Sequence, residues 1–368
     1  MSRTSVRTLG RTLLARQHLL ARTERSVNEV LTHLVGLQAQ VPRDPYLALW
    51  SRVAGFVPAH LEARYLDRSV ARIVAIRGTI HLLTADDVVG LRNLFQPVLD
   101  QEMRRHSEYK AALGGLDLAP VTGFGEKVLA TPHSVAQMKT ALAERFPQHD
   151  AGALALACRN TVPLVQVPPR GLWSRTAQVT YVTASEWLGR PVDPRPSLEE
   201  ALRRYLAAFG PATVADMTTW SRLTGLREVV EGMRPTLRTW TDEDGRELFD
   251  VPDGVLVDPD TPAPVRFLPE YDNVLLSHAD RRRVIPADHP GLRSDDELGV
   301  GSVLVDGSMQ ATWRVDRTKR RSPTVTIRHR AGLAKRRQAS VLAEAHRALP
   351  ILAHDADEAD VVVLISAP

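Results

Sequence analysis

The stretch Arg72-Ile-Val-Ala-Ile-Arg77, Gly78, Thr79-Ile-His-Leu-Leu83 carries the pattern that sets the fold class. Two runs rich in β-branched residues flank a single glycine, which reads as a strand, a tight turn and a second strand. Short helices precede it. Residues 6–20 place Leu9, Leu13, Leu14 and Leu20 at roughly helical spacing. Ser26 and Glu29 form a capping-box pattern that starts a helix through Val30, Leu31, Leu34, Val35 and Leu37 toward Gln38. Pro42 and Pro45 interrupt it, and residues 46–53 and 60–66 read as two more short helices. Thr84 then caps a helix from Ala85 into Leu99. Several short helices followed by a two-stranded ribbon is the order of a winged helix, with the ribbon as the wing.

The same order recurs downstream, without any repeat of the sequence itself. Residues 134–146 and 151–161 read as helices, and Leu164-Val-Gln-Val167 with Gln178-Val-Thr-Tyr-Val182 as a second ribbon. A third cycle starts at Ser197, with Leu237-Arg-Thr-Trp240 and Glu247-Leu-Phe-Asp-Val251 as its strands. Past the proline-rich stretch 252–264 the chain turns β-rich. Residues 265–268, 302–305, 310–316, 324–329 and 360–365 read as strands, Gly307-Ser308 as a hairpin turn, and residues 335–349 as the one helix. The expectation is an α+β chain of tandem winged-helix (helix-turn-helix) domains with a C-terminal β-barrel-like domain. Its divisions fall at 1–115, 116–192, 193–258 and 259–368.

Composition narrows the function classes. Hydrophobic residues make up 43% of the chain and charged residues 24%, which is ordinary for a folded globular protein. The single cysteine, Cys158, excludes an internal disulfide and reads as a small buried hydrophobe. A reducing compartment, the cytoplasm, is therefore expected. No N-terminal apolar run and no segment of about 18 apolar residues is present, so neither secretion nor a membrane span is expected. The net charge of +4 permits nucleic-acid binding without requiring it. Of the 47 basic residues, only Lys110, Lys127, Lys139, Lys319 and Lys335 are lysines. Arginine suits phosphate and base-edge contacts, although a GC-rich genome gives the same bias.

Hydrolase, metalloprotease and nucleotide-binding motifs are absent, and the 12 histidines do not cluster at metal-ligand spacing. His278 and His289 lie near acids and read as surface loop positions. The paired carboxylates at Asp86-Asp87 and residues 295–297 read as helix caps or solvated groups. One segment remains: His33-Leu-Val-Gly-Leu-Gln-Ala-Gln-Val-Pro42, followed by Arg43 and Asp44. With it the chain resembles the winged-helix DNA glycosylases typified by AlkZ and YcaQ, whose site is a Gln-x-Gln or Gln-x-Asp element after Gly-Leu. The further blocks of the resemblance are Arg77-Gly-Thr-Ile-His-Leu-Leu83, Pro168-Pro-Arg-Gly-Leu-Trp-Ser-Arg175 with Glu186-Trp-Leu188, Phe209-Gly-Pro-Ala-Thr213 with Trp220-Ser221, and Leu268-Pro-Glu-Tyr-Asp272 with Asp280-Arg281. They span residues 10–330 in order, and Gln-Ala-Gln sets the chain on the AlkZ side.

The resemblance implies three winged helices and a β-barrel around a concave surface for double-stranded DNA. It also implies removal of bulky N7-alkylguanine adducts and unhooking of interstrand crosslinks, as self-resistance in antibiotic producers. Gln38 and Gln40 become the catalytic candidates. Glutamine is no general base, but an N7-alkylguanine is already cationic and leaves neutral. Two carboxamide oxygens can orient a water and steady the developing oxocarbenium ion. Residues i and i+2 of a helix diverge, so the motif is expected where a helix frays or kinks, just before Pro42. The bland alternative makes both glutamines polar helix-end residues.

A bifunctional mechanism needs an amine nucleophile, and no lysine falls in the motif or a matched block, so a monofunctional hydrolytic enzyme is expected. Neither metal nor redox cofactor is implied. Arg43, Arg77, His81, Arg281, Arg282, Arg320 and Arg321 are the DNA-binding candidates. Asp272 reads as a structural hydrogen-bonding group beneath the site, and Trp173 and Trp220 as packing residues. The competing reading from another class is a non-catalytic winged-helix regulator, a symmetric dimer on a palindrome, whereas a repair enzyme is expected to be a monomer.

Overall fold

Strands Val70–Val74 and Ile80–Thr84 form the expected first hairpin, in register from Val70 opposite Thr84 to Val74 opposite Ile80. The turn between them places Arg77 at φ 60° and Gly78 at φ 73°, both left-handed. In this computed structural model, residues 3–173, 175–286, 300–318, 322–329, 333–353 and 360–365 are described, and they form a mixed α+β fold.

The hairpin is the middle of a six-stranded antiparallel sheet. Its order is Leu37–Gln38, Ile80–Thr84, Val70–Val74, Leu164–Gln166, Thr180–Thr183 and His133–Ser134. The second ribbon thus pairs edge to edge with the first, so one sheet carries strands from both sides of residue 115. A three-stranded sheet sets Arg3–Thr4 parallel to Arg238–Asp242, which pairs with Glu247–Asp250 as the third hairpin.

Local sequence accounts for the helices that lead into these hairpins. Ser26 accepts from the backbone N–H of Glu29 while Glu29 accepts from that of Ser26, so the capping box is formed. Ser134 with Gln137 and Thr213 with Asp216 repeat it. Helices Leu198–Phe209, Val214–Ser221 and Leu226–Met233 precede the third hairpin and bury Leu202, Tyr205, Leu206, Phe209, Met217, Trp220 and Val230. Each such side chain contributes about 1.5–3 kcal/mol on removal from water. The same cluster takes Leu13 and Leu14 from the first helix, Val6–Arg16, and Leu268 and Leu304 from the C-terminal sheet. One continuous core therefore ties the hairpins together. Trp220 stands inside it, with its ring 4.9 Å from that of Tyr205, and Trp173 packs 4.7 Å from the ring of Tyr46. Cys158 is buried, which pushes its thiol up to about 12.

Three expectations need correction. The helix that begins after Ser26 does not run to Gln38; it spans Val27–His33. Val35 at φ 55° and Gly36 at φ 87° then reverse the chain, and residues Leu37–Gln38 are a strand. The apolar spacing through Val35 and Leu37 mimicked a continuing helix, but these side chains fill the core from a turn and a strand. The C-terminal region, in turn, is not a barrel. Strands Arg266–Leu268, Gly301–Val305, Ser308–Asp316, Thr324–His329 and Asp360–Ile365 form an open sheet in sequence order, the last strand parallel to its neighbour. Closure needs the first strand to pair with the last. Helix Lys335–Leu352 instead lays Val341, Ala345, Ala348 and Ile351 on the face formed by Phe267, Val303 and Ile327. The hairpin turn in this sheet is Asp306-Gly307, one residue earlier than expected.

Candidate active site

The left-handed pair Val35-Gly36 aims the chain into the sheet. A Cβ on Gly36 would lie 2.3 Å from Leu83 Cδ2 and 2.8 Å from the Leu82 carbonyl oxygen, so only glycine fits there. Strand Leu37–Gln38 then pairs with the first hairpin, Leu37 opposite Leu82 and Gln38 opposite His81. The ladder continues one step, with Ala39 N donating to Ile80 O at 2.8 Å. The strand ends at Gln38 and the chain bends at Gln40, with Ala39 fully buried between the two glutamines. The two glutamines therefore lie at and just beyond the end of a short strand, not in the fraying helix that the spacing suggested.

Their surroundings differ. Gln38 is buried, and its Oε1 accepts from Arg77 Nη2 at 2.8 Å. Gln40 is exposed, and its Oε1 accepts from Ile80 N at 3.3 Å. Behind the motif, Arg72 is fully buried and donates from Nη2 to the Ala39 carbonyl at 2.8 Å. The motif is therefore gripped at Gln38 and Ala39 and open at Gln40.

Arg77 links the first hairpin to the third group of helices. Its Nη1 donates to the Trp220 carbonyl at 3.0 Å, and Arg222 Nη1 donates back to the Arg77 carbonyl at 3.2 Å. Arg77 and Arg222 are both left-handed non-glycine residues, each at φ 60°. Such strain, on the order of 1–3 kcal/mol each, persists only where surrounding contacts hold it. No carboxylate pairs with Arg77 among the described residues. Burial first, then Arg222 and Arg281, lowers its pKa to about 10, so it stays charged at neutral pH. His81 is buried next to it. Its Nδ1–H donates to Thr79 O at 3.1 Å, which leaves Nε2 facing Arg77 at 3.4 Å. Burial and the Arg77 charge push this imidazole down to about 3, so it is neutral and braces the turn.

Of two cavities lined by residues adjoining these groups, neither is lined by Gln38 or Gln40. One of about 420 Å³ is lined by Arg77, Thr79, Glu102, Arg105, His106 and Arg222 with others. The other, about 310 Å³, is lined by Val41, Arg43, Asp44, Glu270 and Trp313 with others. Asp44 is raised to about 8 by burial, with Glu270 and Asp272 adding repulsion, so its carboxyl is protonated at neutral pH.

The other expected site residues are scattered. Arg43 occupies the position before helix Asp44–Arg52 without a side-chain capping bond, half-buried on the wall of the second cavity. Arg281 and Arg282 are exposed on a short 3-10 turn. Arg282 is committed to Asp280 at 2.7 Å and to Asp244, whereas Arg281 adds to the positive field on Arg77. Arg320 and Arg321, like Lys319 and His289, lie outside the described residues. Asp272 is fully buried in a two-pronged pair with Arg52, at 2.7 and 2.8 Å, as expected of a structural group. His278 is not a surface residue: it is 2% exposed and bonded to the Phe209 carbonyl at 3.0 Å. Sequence reading missed Arg72 and Arg222. Arg72 left one signal, an arginine inside an apolar strand; Arg222 left none. No cluster of three or more histidine, cysteine or acidic side chains suited to a metal occurs among the described residues. No described helix is long and apolar enough to cross a membrane.

A family model described as DNA glycosylase AlkZ-like matches residues 31–351. The chain is 26% identical over 252 residues to an interstrand DNA cross-link repair glycosylase of Streptomyces sahachiroi. That match takes in 65% of this chain and 64% of the relative, just under two thirds of its length. The solved structure of the Streptomyces sahachiroi DNA glycosylase AlkZ superposes with a TM-score of 0.76 at 21% identity, over 99% of this chain and 100% of the other.

Proposed function

The chain belongs to the AlkZ-like DNA glycosylase family, and from that membership we propose that it is a monofunctional DNA glycosylase. It hydrolyses the N-glycosidic bond of N7-alkylguanines in double-stranded DNA, bulky adducts and interstrand crosslinks included, and leaves an abasic site. The observation that carries this reading is the Gln38-Ala39-Gln40 segment at a sheet edge, with one carboxamide gripped by Arg77 and the other exposed.

The chemistry balances without a strong base. An oxygen of water bonds to C1′ as the C1′–N9 bond breaks. The bond pair goes to N9 and neutralises the cationic ring, and the water releases a proton to solvent. Gln38 and Gln40 orient the water and stabilise charge in the transition state. Among the described residues no lysine touches Gln38, Gln40, Arg77 or His81, which supports hydrolysis over a Schiff-base route. A crosslinked base cannot swing freely into a deep pocket, and the exposure of Gln40 suits a substrate that approaches at the surface.

We extend the proposal to the architecture. The helices that precede the hairpins 70–84, 164–183 and 238–250 act as three winged helices on one duplex, within the divisions 1–115, 116–192, 193–258 and 259–368. The enzyme acts in the cytoplasm as a monomer, and self-resistance in an antibiotic producer is its proposed role. The test is to incubate the protein with duplexes that carry one N7-methylguanine, one bulky N7 adduct or one N7–N7 crosslink, then heat in alkali. Strand breaks at the adduct support the reading. Intact strands on all three, with DNA still bound, refute it and favour a regulator.

A further inference from the structure

Resting on the glycosylase reading, we propose that the two glutamines have opposite hydrogen-bonding duties: Gln38 donates through Nε2 to the departing base, Gln40 accepts through Oε1 from the attacking water, and Arg77 is the positioning residue that enforces the difference.

The orientation of Gln38 follows from its partner. Oxygen and nitrogen of a carboxamide are distinguished only by what they bond. A guanidinium carries donors and no acceptor. Arg77 Nη2, 2.8 Å away, therefore requires the oxygen of Gln38. A flipped amide would set N–H against N–H in a buried position, with no carboxylate on Arg77 among the described residues to relieve it. Arg77 cannot swing aside to release the flip, because Trp220 O holds its other nitrogen at 3.0 Å and the left-handed backbone is clasped by Arg222. The Nε2 of Gln38 takes no partner among the described residues, yet it is not sealed from solvent. It is the polar atom that Gln38 presents outward.

Gln40 is the converse. Its oxygen is held by a single long bond, 3.3 Å, from Ile80 N, and the residue is exposed. That oxygen keeps lone pairs for a water. Charge fits this division. As C1′–N9 breaks, electron density arrives on the base, at N3 and O6, while positive charge builds on the sugar. A fixed guanidinium behind Gln38 polarises the amide so that Nε2–H donates more strongly. Its positive charge suits the end of the reaction that gains electrons and is ill-suited to the sugar.

Glutamate separates the duties, since a carboxylate accepts and cannot donate. Gln38→Glu would pair with Arg77, so its fold is expected to hold, and thermal unfolding checks this. Rates are read under single turnover at saturating enzyme on the N7-methylguanine duplex, so that weaker DNA binding does not enter. Gln38→Glu is expected to fall by about a hundredfold, the usual loss on removing one transition-state donor. Gln40→Glu is expected to keep at least about tenfold more activity than Gln38→Glu. Arg77→Met frees the Gln38 amide and is expected to lower kcat with little change in KM. Equal losses in the two glutamate variants, or the reverse order, overturn the division even if Arg77→Met fails to fold. An inactive wild type overturns the glycosylase reading and this inference together; an active wild type with the wrong order overturns this inference alone.

Discussion

Arg77 and Arg222 clasp each other's chains: Arg77 Nη1 donates to the Trp220 carbonyl, two residues before Arg222, and Arg222 Nη1 donates to the carbonyl of Arg77. The clasp joins the first hairpin to the third group of helices next to Gln38. Arg222 remains exposed and lines the cavity beside the hairpin turn together with Arg105 and Glu102, and Arg281 adds to its positive field on Arg77.

This arrangement suits a DNA phosphate at Arg222. Arg222→Ala is expected to weaken binding of undamaged duplex and to lower the slope of log affinity against log salt by about 0.9. Arg282→Ala is the comparison, because Asp280 and Asp244 already neutralise that residue. A salt titration by fluorescence anisotropy reads both, and an Arg282 effect equal to that of Arg222 would reject the assignment.

Gly36 sets the approach of the motif strand to the hairpin. Gly36→Ala places a methyl against Leu83 and the Leu82 carbonyl, at a φ of 87° that alanine disfavours. The expected loss is more than about 1 kcal/mol of stability, with a larger drop in glycosylase rate as the strand shifts. Denaturant melts and single-turnover rates measure the two; a neutral substitution would mean that the close approach is not needed.

Asp272 and Arg52 are wholly buried against each other, and Asp272 also caps the turn at Val274. Removing one partner strands a buried charge, so Asp272→Asn is expected to cost about 3–5 kcal/mol. Activity per folded molecule should survive. Loss of rate without loss of stability would move Asp272 into the catalytic machinery.

Stability should depend on pH with two opposing signs. Burial depresses His81 and His278 to about 3 and His18 to about 4, with Arg77, Arg283 and His33 the next contributors. Between those values and the unfolded value near 6.5, the unfolded chain binds protons that the folded chain refuses. Stability therefore falls as pH drops below about 6.5, by up to about 1.4 kcal/mol per pH unit for each histidine. Asp44 runs the other way. It stays protonated up to about 8 when folded but ionises near 3.8 when unfolded, so its contribution falls as pH rises through that window. Asp44→Asn should raise the melting temperature at pH 8 more than at pH 5. Equal shifts at the two pH values would show an ordinary exposed carboxyl.

Much of this fold is written in short-range patterns. The capping residues at Ser26, Ser134 and Thr213 and the hairpin around Gly78 are local and are found where local rules put them. What escapes are features decided by distant parts of the chain. The helix expected to reach Gln38 stops at His33 because Gly36 must pass Leu82 and Leu83, residues 46 and 47 positions further along. Arg77 reads as a phosphate contact from its place in a turn, but Gln38 and the Trp220 carbonyl, 143 residues away, turn it inward. His278 sits among acids in a loop-like sequence, yet the Phe209 carbonyl draws it into the core. An open sheet and a partly open barrel share one strand pattern, and only the long helix across one face separates them.

The most direct test is a single-turnover excision assay on a duplex with one labelled N7-methylguanine, comparing wild type with Gln38→Ala and Gln40→Ala while anisotropy follows DNA binding. The expected result is alkali-labile cleavage by the wild type, lost by about a hundredfold or more in each variant with DNA affinity retained. Excision that persists undiminished in both variants, or a wild type that binds the duplex and releases no base, would contradict a glycosylase built on Gln38 and Gln40.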